Sequence, residues 1–161
     1  MRNEEKYVYE QGQGVFGSGG DVIALEGFIT DITDLHKSEK ALKENEEKYR
    51  TLFDMESDAL AMIEIKTGKM LEVNQSFIEL YGYSREEVLR MKNTDFSAEP
   101  SETRKTTRSK GTYIPVRYHK KKDGTVFPTE ISARVFNYQG REVHIAAIRD
   151  ITERQRLEGQ I

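Results

Sequence analysis

Apolar residues recur along this chain at two spacings: every second residue in some stretches, every third or fourth in others. Residues 4–16 and 21–32 alternate as two strands of a hairpin. From 34 to 53 the period becomes helical, with Leu35, Leu42 and Tyr49 recurring at seven and Leu52 joining near the end. "DALAMIEI" and "KMLEVN" predict two strands joined at Thr67-Gly68. "QSFIELYG" predicts a short helix with Asn74 as N-cap and Gly82 past its end, and "SREEVLRM" opens with the capping box Ser84 to Glu87. Residues 92–111 are polar and irregular, with one helix expected over 101–110. Three strands close the chain at 112–121, 125–137 and 142–151, turning at Asp123-Gly124 and Gln139-Gly140. The order predicts an α+β domain, an antiparallel sheet with helices on one face.

The chain repeats itself. "FITDIT" ends at Thr33 and "AIRDIT" at Thr152, and Val15-Phe16 recurs as Val135-Phe136. The two copies differ by one residue between these anchors, which a hairpin turn tolerates and a strand register does not. That settles the reading of "GQGVFGSGG". Gly12, Gly14 and Gly17 fit the dinucleotide spacing, but a strand follows them where phosphate binding needs a helix N-terminus. The stretch is a turn.

Charged residues make up 33% of the chain and hydrophobic ones 36%, which fits exposed helix in addition to core. A net charge of −3 gives no field favouring nucleic acid or anionic membrane, and Lys120-Lys121-Lys122 reads as a solvated hairpin tip. No membrane span or export leader is evident, so the expected location is the cytoplasm. With no cysteine, disulfides, thiolate metal sites and cysteine-linked flavin are excluded. No acid pair or Ser/His/Asp set suggests catalysis, and no metal site is expected.

"DALAMIEIKTGKMLEVNQSFIELYGYSREEVL", "KKKDGTVFPTEIS" and "IRDITERQRLE" together resemble a PAS domain of the sensory-box type. The resemblance implies the PAS fold, a five-stranded antiparallel sheet with helices on one face, over 55–152. Residues 1–33 resemble the C-terminal hairpin of a preceding copy, 34–54 a linker helix, and 153–161 the start of a signalling helix. Such tandem arrays imply a signalling protein, typically a sensor histidine kinase. The partners implied are a second copy of the chain and neighbouring PAS and output domains. None of the histidines His36, His119 and His144 lies in 99–111, where a haem-binding member carries its axial ligand, so haem is disfavoured. His119 reads as a solvated strand end and His144 as a packed residue.

Two functions remain. One is a relay and dimerisation module, with Leu35, Leu42, Tyr49 and Leu52 as the seam and Asp31, Thr33, Asp150, Thr152 and Arg154 as transmission residues. In this reading Thr152 and Gln155 form a capping box and Asp150 bridges to Arg154. Apolar residues at both parities of "EVHIAAIRDI" suggest that the outer sheet face is covered as well. The other is a sensor holding a small ligand, with Met62, Ile78, Met91, Phe96, Val116, Ile131 and Ala133 facing the family's pocket. No cofactor is predicted.

Overall fold

Strands β1 (Val8–Phe16) and β2 (Val22–Asp31) pair antiparallel, as their alternation requires. Gly12 faces Gly27 across this hairpin, and a side chain at Gly27 would meet the Gln11 carbonyl oxygen at 2.2 Å. Gly27 thus allows the close backbone approach beside Gly12, and the glycine spacing that mimics a phosphate loop lies in and after a strand. Ile23, Leu25, Phe28 and Ile29 stay more than half exposed on this two-stranded ribbon, which buries too little to be stable alone. The computed structural model describes residues 3–159, in two units that divide between Arg50 and Thr51. Residues 1–2 and 160–161, at the ends of the first and last predicted segments, lie outside the described residues.

Helix α1 (Thr33–Met55) begins in the first unit and ends in the second. Its start is held by the hairpin: the Tyr7 amide donates to Thr33 Oγ1 at 3.0 Å, and the Tyr7 ring stacks on His36 at 3.7 Å. Leu35, Leu42, Tyr49 and Leu52 are each more than half exposed along it.

The second unit is a five-stranded antiparallel sheet in the order β4-β3-β7-β6-β5. The strands are β3 (Ala59–Glu64), β4 (Met70–Val73), β5 (Tyr113–Lys120), β6 (Val126–Tyr138) and β7 (Arg141–Asp150). Helices α2 (Gln75–Tyr81), α3 (Arg85–Val88) and α4 (Pro100–Arg108), with a 3-10 turn at Asn93–Phe96, cover one face. A last helix, α5 (Thr152–Leu157), leaves the end of β7. This is the PAS fold expected from the sequence. The alternation of β3 and β7 turns Ala61, Ile63, Ala146 and Ile148 inward against Phe77, Tyr81 and Phe96. Asp31 pairs with Val8 and Asp150 with Thr129, so each repeated exit motif begins on the last rung of its hairpin.

Asn74 fixes the corner. It is fully buried, and its Oδ1 accepts from the amides of Leu60 (2.8 Å) and Phe77 (3.0 Å). Its Nδ2 donates to the carbonyls of Phe53 (3.0 Å), Glu56 (3.4 Å) and Asp58 (3.0 Å). One side chain therefore caps α2, seats the start of β3 and ties down the end of α1. The expected capping box at Ser84 and Glu87 is formed, and Gly82 ends α2 in the left-handed conformation.

Asn74→Ala leaves several buried backbone groups without a partner. It should cost about 3 kcal/mol or more of stability, measured by urea unfolding. A loss under about 1 kcal/mol would show that water or neighbouring groups replace the side chain.

Candidate functional site

Between the inner sheet face and α4 lies a cavity of about 60 Å³. Its sheet side is apolar, formed by Ala61, Ile63, Ala133, Ala146 and Ile148. Phe77, Tyr81 and Phe96 line it from the helical layer, and polar groups enter the apolar lining from Thr103, Thr106 and Thr107 of α4, Arg117 and His119 of β5 and His144 of β7. Two of these reach the chamber through an irregularity. Ile114 pairs with Ile131, but Arg117 pairs with Thr129, so β5 carries one extra residue between them. Regular alternation from Ile114 would turn Val116 and Tyr118 inward. The bulge instead leaves these about 40% exposed and turns Arg117 and His119 inward, at 8% and 5%. Pro115 sits in the irregular stretch, where a residue without an amide hydrogen costs no ladder bond.

Arg117 donates through Nη2 to Thr106 Oγ1 at 3.0 Å, while its buried Nε has no partner. Among the described residues no carboxylate pairs with this guanidinium. His144 is buried with its Nε2 also unpartnered, and burial holds its pKa below the ordinary histidine value. His119 is hydrogen-bonded through Nδ1 to the Tyr81 hydroxyl and set edge-on to Phe127. Burial first, and the Arg117 charge second, push its pKa down to about 4. Burial raises the Tyr81 pKa well above its usual value, and the charge of Asp150 raises it further. The chamber is thus a largely apolar space lined by one permanent cation and two neutral imidazoles.

A second cluster lies where the chain leaves the sheet. Asp150 Oδ1 accepts from the Thr152 amide at 2.9 Å and from the Thr152 hydroxyl. Asp31 accepts from the Thr33 amide at the same 2.9 Å, so the repeated motif is a repeated turn. Hydrogen bonds from Thr33 hold the Asp31 pKa below the usual carboxylate range. Arg149 forks onto Asp58 (3.1 and 2.8 Å) and lies 3.9 Å from Glu130 Oε1. Glu130 Oε2 accepts from both terminal nitrogens of Arg154 at 3.2 Å. These pairs are largely solvent-exposed on the arginine side and contribute little stability each. Their effect is positional: a chain of charges runs from the start of β3 to α5.

A PAS domain family model matches residues 57–153. This chain belongs to the PAS domain family. It is 33% identical over 144 residues to a methyl sulfide methyltransferase-associated sensor of Methanosarcina acetivorans. That match covers 86% of this chain but 14% of the sensor's length. The PAS domain of an HTR-like protein from Haloarcula marismortui superposes with a TM-score of 0.63 at 24% identity, over 72% of this chain and 99% of that one. A PAS domain from a two-component sensor histidine kinase gives 0.60 at 23% identity, over 67% and 98%. The protein is a PAS sensory domain of a signalling protein.

Within this PAS domain, Phe96, Ile131 and Ala133 line the chamber, and four other candidates from the sequence do not. Met62 alternates to the far face of β3, Ile78 and Met91 pack against the core cluster from its rim, and the bulge turns Val116 out. His119 is not a solvated strand end, for the same reason. The residues missed, Arg117, His144 and the α4 threonines, are polar, and a search for apolar pocket walls passes over them. Pro115 was the available signal for the bulge. Two exit-motif expectations are corrected as well. Arg154 pairs with Glu130 and not with Asp150, and the Thr152 hydroxyl turns back to Asp150, so no capping box forms with Gln155. Of the lysine run, Lys122 is paired with Glu87 at 2.8 Å and Lys121 lies over the Phe127 ring. Among the described residues no helix is long and apolar enough to cross a membrane, and no group of three His, Cys, Asp or Glu could hold a metal.

Because His119 stays neutral in the fold down to about pH 4, the unfolded chain binds its proton first as pH falls. Stability is therefore full above about pH 6.5 and falls toward pH 4. Between pH 7 and 4.5 the wild type should lose about 2 to 3 kcal/mol more than His119→Gln, measured by urea unfolding. Equal losses would mean that His119 is not held neutral.

Proposed function

We propose that this PAS domain is a dimeric relay that passes a conformational change from its chamber and sheet into helices at both ends. The observation that carries the reading is the charge chain Asp58–Arg149–Glu130–Arg154. It couples the strand entered from α1 to the strands β6 and β7 and to the exit helix α5. Exposed pairs of this kind set an angle without locking it, because each is worth under about 1 kcal/mol. Asp150 contributes by fixing the turn from β7 into α5. The dimer forms along α1, whose Leu35, Leu42, Tyr49 and Leu52 present an apolar stripe to solvent in the single chain. The output is a downstream domain of the parent protein, a sensor histidine kinase by its kinship with PAS domains of such enzymes. A second reading, that the chamber holds a small ligand, is favoured by the unpartnered buried atoms of Arg117 and His144.

Asp150→Ala should leave the fold intact, with a loss of about 1 kcal/mol, while uncoupling the regulated output of the parent protein from its stimulus. Melting temperature and regulated activity measured together check this. A variant that remains fully regulated reduces Asp150 to a helix cap. Leu42→Asp places a charge in the α1 seam and should weaken dimerisation by about 2 kcal/mol or more. Light scattering that finds monomers in the wild type, or an unchanged dimer in the variant, overturns the seam.

A further inference from the structure

A guanidinium taken out of water needs an anion or a full set of acceptors, since an uncompensated buried charge costs several kcal/mol. Arg117 is 8% exposed, has one hydrogen bond to a threonine hydroxyl, and is paired with no carboxylate among the described residues. Its Nε is buried and unpartnered. His144, 4% exposed, leaves Nε2 unpartnered on the same chamber. Two independent polar atoms, one of them on a fixed cation, therefore lack a hydrogen-bond partner at one cavity. Native structures leave few such atoms, and each demands an explanation.

We propose that the chamber binds a short-chain carboxylate, its head group held by Arg117 and His144 and its alkyl tail against Ala61, Ala133 and Ala146. The planar fork of an arginine matches a carboxylate, with Nε and a terminal nitrogen donating in parallel. A neutral imidazole with its proton on Nε2 supplies a further donor. The apolar sheet side distinguishes a carboxylate from an inorganic anion, which would leave methyl-sized space dry and empty. A cavity of about 60 Å³ fits a ligand of a few heavy atoms. The threonines of α4 stand at the same chamber, so filling it bears on that helix. This inference rests on the ligand-holding reading above and adds the class of ligand to it.

The test uses the whole 161-residue chain, titrated by calorimetry and by NMR with acetate, propionate and butyrate. Propionamide serves as the neutral isostere, and nitrate and phosphate as inorganic anions. Expected is one-to-one binding of at least one carboxylate, with the Arg117 Nε–H resonance shifting on saturation. Arg117→Met should bind it about tenfold to a hundredfold more weakly. That variant removes an uncompensated charge, so it should fold at least as stably as the wild type. The resonance shift reports on the wild type alone if the variant proves unstable. Binding of propionamide or nitrate as tight as that of propionate overturns the carboxylate while leaving a ligand-holding chamber. So does carboxylate binding untouched in Arg117→Met. If none of the probes moves any chamber resonance, the carboxylate falls and the ligand-holding reading falls with it.

Discussion

Five hydrogen bonds converge on the side chain of Asn74, and the geometry of the domain follows from them. They bring the Phe53 carbonyl of α1, two carbonyls of the connection after it, the Leu60 amide of β3 and the first turn of α2 to one buried point. An amide is the one side-chain group that can accept from two amides and donate to two or more carbonyls at the same site. Apolar packing could fill this corner but could not fix the path of the backbone from Phe53 to Leu60. Backbone groups with no other partner do fix it, because leaving them bare is costly in a water-free site. The last turn of α1, within the second unit, is thereby tied to the sheet at Phe53.

From that corner the sheet carries two kinds of charge. At one end of its central strands the exposed pairs from Asp58 to Arg154 are weak, adjustable and connected. Inside, Arg117 is strongly confined and unmatched. The low-dielectric interior that makes an unpaired cation costly also makes a pairing anion effective, so the chamber is the part of the fold most responsive to what enters it. Asp150 belongs to both halves. It caps the turn into α5, and its charge is felt at Tyr81 on the chamber wall. Strand β7 supplies His144 to the chamber and ends at Arg149 and Asp150, so a displacement of the strand changes both ends together.

The fold was readable because its signals are local. Asn74, Gly82, the Ser84–Glu87 box and the turns at Asp123-Gly124 and Gln139-Gly140 each act within a few residues. The faces of β3 were not readable in this way, since Met62 was expected in the chamber and lies on the far face. The chamber was readable only in part. Phe96, Ile131 and Ala133 follow from regular alternation and family likeness. Arg117 and His119 do not, because one inserted residue in β5 reverses the parity of everything after it. Pairing partners across a sheet are non-local, and a bulge exists only relative to the partner strand. The exit motif shows the same boundary. Its turn is local and repeats faithfully, whereas the preference of Arg154 for Glu130 over Asp150 depends on which carboxylate the neighbouring strand β6 presents.

The central claim is that the electrostatic state of the chamber reaches the exit helix through the sheet. Amide hydrogen exchange in wild type and Arg117→Met tests it most directly. The reporters are Ile151, bonded to the Pro128 carbonyl at 3.1 Å, and Gln155, bonded to Ile151 at 2.9 Å. Neither lines the chamber. The account predicts that removing the Arg117 charge alters protection at both by about threefold or more, a fraction of a kcal/mol in opening free energy. Changes confined to α4 and β5, with Ile151 and Gln155 unmoved, would contradict it.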